Sequence, residues 1–376
     1  MVTSNTRHSG SHGLKHQWSI PVAIQENELF SSWLARSALT QGCDPLVLTG
    51  EIWGKWRIWT IDADRIYDEA IFRPVTHLSG NTVEAFKQNS LYPIASKIIG
   101  DTPPEKAIWP WILALGARNT KRSGGLQYCA ACLAEDAKSY FRNHWRLAWH
   151  TVCEKHQCSL LDHCHVCNAP IEPHRLLAED RQLKFCATCK SDLSHAPDMR
   201  LALEALTFQR MTDNVILNGY GVFQQQQVNV ADWFRLADFF VSMIRRANRS
   251  RAVVLHEFLS QISNSLPTDL PISTGTGIEL LRTNERHKLF ACLYQMMTVS
   301  KDEFKRIALE TNITRQAFCS QDDVLSEVLK PLYDLLPDNP KLRSRKIKRS
   351  RHQPRPRHEV VRMMARLERK LEMAQR

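Results

Sequence analysis

Residues 128–158 read YCAACLAEDAKSYFRNHWRLAWHTVCEKHQC. Cys129 and Cys132 stand three apart, and Cys153 and His156 repeat that step after an aromatic and basic insert. Two further steps follow, Cys164/Cys167 and Cys186/Cys189. A C-x-x-C or C-x-x-H knuckle lets two donors reach one ion at about 2.0–2.3 Å, and Zn²⁺ takes four such thiolate or imidazole donors in a tetrahedron. Four pairs therefore make two complete sites. Local pairing gives Cys129, Cys132, Cys153 and His156 to one ion and Cys164, Cys167, Cys186 and Cys189 to the other. An interleaved pairing satisfies the spacing equally. Either way all four positions are filled by protein, so the expected cofactor is two structural zinc ions, with no open position for catalysis. Cys158, His163 and His165 are left over. Cys43, Cys292 and Cys319 stand alone and read as small core residues.

The rest of the composition supports ligation over disulfide bonding. The chain has eleven cysteines, and its opening residues, MVTSNTRHSGSHGLKHQ, contain no apolar signal-peptide core. A reducing, cytoplasmic setting is expected, where paired cysteines are metal ligands more often than disulfides. No run of about 18 apolar residues suggests a membrane span. At 43% apolar and 24% charged, the sequence has the balance of a globular chain. The net charge of +11 sits wholly in residues 341–376, and the body is neutral. That tail is an electrostatic arm, with Lys346, Lys348, Arg349 and Arg351 as candidate phosphate contacts.

Around the cysteines the pattern is helical, so the fold class expected is mainly α. The expected division is a disordered 1–17, an N-terminal helical domain 18–125, a tandem zinc-finger module 126–195, a C-terminal helical domain 196–338, and a basic linker with a short amphipathic helix at 339–376. ENELFSSWLARSAL (26–39) has apolar residues at spacings of three and four, with Asn27 as its expected cap. Trp53, Trp56 and Trp59 read as core or interdomain packing, with base stacking as the alternative. Residues 64–89 read as helix, turn, helix, broken at SGNT, with Asn81 or Thr82 capping the second helix. They fit a helix-turn-helix and an ordinary helical hairpin equally well. FKRIALETNITRQAFCS (304–320) poses the same choice. Asn312 tolerates the left-handed turn, Thr314 caps, Ile313 and Phe318 point inward, and Arg315 and Gln316 point outward as candidate DNA contacts. In the last segment Val360, Met364, Leu367, Leu371 and Ala374 form a narrow stripe, too short for a solitary coiled coil. The stripe must dock on the body, a second copy or a partner.

No phosphate-binding loop, dinucleotide fingerprint, H-E-x-x-H or G-x-S-x-G is present, so no catalytic residue is nominated and an enzyme is not expected.

The order of these motifs resembles the TniQ family, which includes the TnsD-type target selectors of bacterial transposons. The resemblance rests on PVAIQENELFSSWLARSALTQG near the start and on Cys129, Cys132, Trp145, Trp149, Cys153, His156, Leu160, Cys164 and Cys167 in the zinc region. It covers roughly Trp18 to Asp192, and the helical remainder loosely. The chain departs from the family pattern at Ala131 and in its basic tail. The resemblance implies a non-catalytic target-selection protein for DNA transposition that recruits an AAA+ regulator. Some family members read an attachment site on DNA. Others sit, commonly as a homodimer, on a Cascade-type CRISPR effector with its guide RNA. The neutral body suits an adaptor, whereas the basic tail and residues 304–320 suit DNA contact. The alternative class is a zinc-dependent DNA-binding transcription regulator unrelated to transposition.

Overall fold

Glu28 sets the first helix. Its carboxylate is fully buried and takes the Arg36 guanidinium at 2.6 Å and the Ser32 hydroxyl at 3.1 Å. The chain reaches it through a left-handed Asn27 (φ +55°), so Asn27 shapes the entry and does not cap. Helix α1 is Phe30–Thr40, with Leu29 at its start. This shortens the helix expected from residue 26: the buried ion pair, not a side-chain cap, fixes where it begins.

In the computed structural model the described residues are 17–54, 58–105, 107–115, 125–197, 203–248, 252–264, 266–267, 277–319, 325–338 and 355–374. After α1 come α2 (Pro45–Trp53), α3 (Glu69–Ser79), α4 (Val83–Gln88) and α5 (Tyr92–Ile99). Pro45 takes the first position of α2, where its missing N–H costs nothing. Gly80 (φ +73°) stops α3, and Thr82 caps α4 by accepting from Ala85 N–H. An aromatic core holds α1 to α3 and α4, with Phe30 edge-on to Phe72 at 5.1 Å and Trp33 against Phe86 at 4.7 Å.

A second, larger core runs from Leu91 to Leu336 and includes Leu29, Ala35 and Leu39. It takes in the short helix α6 (Ala130–Glu135), the antiparallel pair β1 (Val152–Cys153) and β2 (Cys158–Ser159), and the C-terminal helices. These are α7 (Leu203–Asn218), α8 (Val230–Ala247), α9 (Val253–Ile262), α10 (Thr283–Thr298), α11 (Lys301–Thr311), α12 (Arg315–Phe318) and α13 (Lys330–Tyr333), while α14 (Arg357–Ala374) adds no residue to this core. Helices α7, α8 and α10 pack together, and α5 lies on α8. The protein is thus mainly helical, as its periodicity implies. No helix among the described residues is long and apolar enough to cross a membrane.

Helix α9 lies within the expected C-terminal helical domain. A hairpin, β3 (Tyr220–Phe223) with β4 (Gln226–Asn229), links α7 to α8. Gly221 lets the hairpin backbone lie against the Trp233 ring: a Cβ there would sit 2.6 Å from Trp233 Cε3 and 2.9 Å from Val215 Cγ2. Gly221→Ala is therefore expected to cost about 1–3 kcal/mol through overpacking. A urea midpoint lowered at unchanged slope would show it, and a midpoint equal to that of the parent would refute the close approach.

The expected stripe on α14 does not face the body. Val360, Met364, Leu367 and Leu371 are each about half exposed. The helix is held instead by Arg369, whose guanidinium is buried against Glu285, the residue that also accepts from Arg282 N–H at the start of α10.

Candidate metal centre

The four knuckles are built by local backbone geometry. Cys129 caps α6, its sulfur accepting from Cys132 N–H at 3.4 Å, which turns both thiols to one side. Each of the other three knuckles is followed at once by a non-glycine residue in the left-handed region: Gln157 (φ +51°), Asn168 (φ +57°) and Lys190 (φ +60°). That reversal folds each ligand pair back on itself. It also closes the bonds Asn168 N–H to Cys164 O (3.0 Å) and Lys190 N–H to Cys186 O (2.9 Å).

The donors converge as two groups, and the pairing is local, not interleaved. In the first, His156 Nδ1 lies 3.4, 3.3 and 3.4 Å from the sulfurs of Cys129, Cys132 and Cys153, and Cys132 lies 3.6 Å from Cys153. In the second, Cys164 is 3.7 Å from Cys189 and Cys167 is 3.7 Å from Cys186. A tetrahedron with 2.3 Å metal–sulfur bonds has edges of about 3.8 Å, so both groups fit one ion each. The thiols of the first group cannot all ionise in so small a space. Hydrogen bonds from Cys129, Cys132 and Cys158 hold Cys153 far below its ordinary value, and hydrogen bonding to Cys129 and Cys153 pushes Cys132 far above it. One thiolate shared among thiols is the arrangement a cation would complete.

Outer contacts orient the ligands. The far nitrogen of His156, Nε2, lies 3.0 Å from Glu135, which fixes Nδ1 as the inward donor. Ser191 Oγ sits 3.1 Å from both Cys164 and Cys189. Glu135, Ser191 and Cys158 are the neighbours that spacing alone missed. Glu135 does occupy the acidic position of the CLAED run. His163 is held by Asp162 at 2.5 Å, and neither it nor His165 joins a donor group.

The insert between the first ligand pairs is not an α-helix. It makes a 3-10 turn at Asn143–Arg146 and then runs irregularly. Trp145 and Trp149, four residues apart and so on one face only if the insert were an α-helix, therefore face different neighbours. Trp145 packs on Phe141, while Trp149 packs on Phe234 of α8 and donates to Asp213 at 2.7 Å. Two fully buried arginines extend this division. Arg146 binds Asp62, Asp64 and the Leu113 carbonyl on the N-terminal side. Arg286 reaches in from α10 to the Ala148 carbonyl and to Gln127 Oε1 at 2.8 Å. Burial brings the Arg286 pKa down to about 10, so it stays charged at neutrality. Gln127 in turn donates to the Trp145 and His150 carbonyls. Of the tryptophan row, Trp59 stacks on His174 of the module at 5.1 Å, and Trp53 donates to the Ile71 carbonyl. Both pack within the protein, and Trp56 lies outside the described residues.

The candidate DNA contacts fare differently. Asn312 takes the left-handed turn (φ +51°), Thr314 caps α12, and Ile313 and Phe318 are buried, all as the pattern requires. Arg315, however, does not project outward. Its guanidinium donates to the Tyr333 and Asp334 carbonyls, pairs with Asp338 at 3.1 Å and lies over the Tyr333 ring. The end of α13 offers it acceptors that solvent would otherwise have to satisfy. Gln316 is exposed on α12. Lys346, Lys348, Arg349 and Arg351 lie outside the described residues.

A mainly helical protein organised around two adjacent four-donor metal-binding groups is the class that fold and site define. Residues 19–160 match the family model described as TniQ, so this part of the chain is similar to the TniQ family. The match ends just past the first donor group and supports a transposon-associated role in target selection. Among curated proteins nothing matches the chain.

Proposed function

We propose that this protein is a non-catalytic target-selection factor of a bacterial DNA transposon, with two structural zinc ions, which binds target DNA and recruits an AAA+ transposition regulator. The observation that carries the reading is the TniQ match over 19–160 together with a metal-binding group whose insert joins both helical parts. A closed four-donor site has no position for substrate, which suits a scaffold. DNA contact is assigned to the helix-turn-helix formed by α11, Asn312 and α12, with Gln316 on its exposed side, and to the tail. A Cascade-type effector with its guide RNA is the other surface on which such a factor acts, and the neutral body suits it. The alternative, a transcription regulator unrelated to transposition, rests on the same helix-turn-helix.

The experiment is a pull-down of the full chain with an AAA+ transposition regulator and a transposase, with target DNA and with a Cascade-type CRISPR effector. Retention of the regulator supports the reading. Specific promoter binding without the regulator favours the alternative, and binding to none of these sinks the proposal. Removing residues 339–376 is expected to flatten the salt dependence of DNA binding while leaving site preference unchanged, because a basic tail contributes phosphate contacts and not base readout. A gel-shift series across salt concentrations measures both.

A further inference from the structure

The first donor group has a fifth member. Cys158 is 7% exposed, and its sulfur lies 3.4 Å from Cys129, within the 3.3–3.6 Å spread of the distances among the four donors themselves. The ribbon geometry puts it there. Cys153 on β1 is the direct cross-strand partner of Cys158 on β2, and directly opposed residues carry their side chains on the same face. The knuckle that presents His156 therefore returns a second thiol beside the first. Cys158 also hydrogen-bonds Cys153.

The five donors are not held equally. Cys129, Cys132 and Cys153 are 0%, 4% and 6% exposed. The His156 side chain is 15% exposed, and its outer nitrogen leans on Glu135, itself half exposed at 51%. A tetrahedral ion takes four donors, and the least enclosed of these five is the imidazole.

We propose that Cys158 is a reserve ligand of the first centre. With His156 in place, the Cys158 S–H donates to the neighbouring thiolates. When the imidazole is withdrawn, the nitrogen–metal bond breaks, Cys158 releases its proton to water, and its sulfur takes the fourth position. The centre then passes from three thiolates and one imidazole to four thiolates. The inference concerns the metal centre alone and stands whether or not the protein serves transposition.

A double-mutant cycle on the full chain tests it, with zinc affinity read by chelator competition and metal content by elemental analysis. Cys158→Ser alone is expected to lower affinity at the first centre less than about 10-fold, the low end for an outer contact. His156→Ala is expected to keep the ion, and the pair together to lose it, with a loss at least 100-fold beyond the product of the single effects. Independent effects, or an ion lost from His156→Ala alone, overturn the proposal. Should the double variant fail to fold, the ¹¹³Cd resonance of His156→Ala decides. A four-thiolate shift supports the reserve ligand, and a three-thiolate shift overturns it.

Discussion

Stripping the metal with a strong chelator is expected to unfold residues 126–195 and to loosen the helices on both sides. Regular structure in this region is sparse: six residues of α6, two-residue strands β1 and β2, and single 3-10 turns. Little else orders the backbone, so the ligand bonds hold its shape. A structural zinc site contributes roughly 10–16 kcal/mol of apparent binding energy to folding. A whole domain is stable by only about 5–15 kcal/mol. Losing either ion therefore exceeds what the remaining contacts can offset. Elemental analysis should give about two zinc ions per chain before treatment. Cys153→Ser combined with Cys158→Ser should retain the second ion and lose the first, because only two buried sulfurs then remain beside the imidazole. The effect should spread, since the backbone between Cys132 and Cys153 carries Trp145 and Trp149, each buried in a different part of the molecule. Near-UV circular dichroism reads those rings. A chelated protein with unchanged near-UV signal and melting temperature would sink the assignment of a structural metal.

The donor residues were legible in the sequence because knuckle spacing is a local property. Four three-residue steps name eight ligands, whatever surrounds them. The pairing was not legible, since both pairings obey the same spacing and only the three-dimensional path decides between them. Helix-terminal chemistry read well where one residue dictates backbone shape, as at Gly80 in the SGNT break, Thr82, Asn312 and Thr314. It failed at Asn27, where the buried Glu28–Arg36 pair, whose burial only the fold reveals, took over the start of α1. The paths of Trp145 and Trp149 are hidden for a related reason: four residues apart, they would share a face only on a helix, and the insert is pinned into an irregular path by Arg146 and Arg286. Arg315 shows the same limit. Its type and position suit DNA, but the acceptors that engage it lie 18 to 23 residues further on.

Arg146→Ala is expected to be the most damaging single change outside the metal ligands. The Arg146 side chain is fully buried, and it contacts the equally buried Asp64 at 2.7 Å and Asp62 at 2.5 Å. Asp64 also accepts from the backbone and hydroxyl of Ser31 at the start of α1. One guanidinium thus joins the insert of the first donor group to the N-terminal helices. Burial first, and then the charge of Asp62, holds the Asp64 pKa above its ordinary value, and Arg146 is the chief influence opposing that rise. Deleting the arginine strands a buried carboxylate, which costs about 3–5 kcal/mol. At about 2–4 °C per kcal/mol for a domain of this size, the melting temperature should fall by roughly 10 °C. Lysine should not rescue it, because a single ammonium cannot bridge two carboxylates and a carbonyl as the planar fork does. Removing the partner as well should recover part of the loss, since the double variant Arg146→Ala, Asp64→Ala removes the fully buried carboxylate and leaves only the more exposed Asp62 without its arginine. The decisive comparison is between that double variant and the sum of the single changes, measured by thermal and urea unfolding. Strict additivity, or a single variant that melts with the parent, would show that the insert is held by its tryptophans and ligands alone. A strongly sub-additive cycle would establish the guanidinium as the tie that carries the order imposed at the metal into the N-terminal helices.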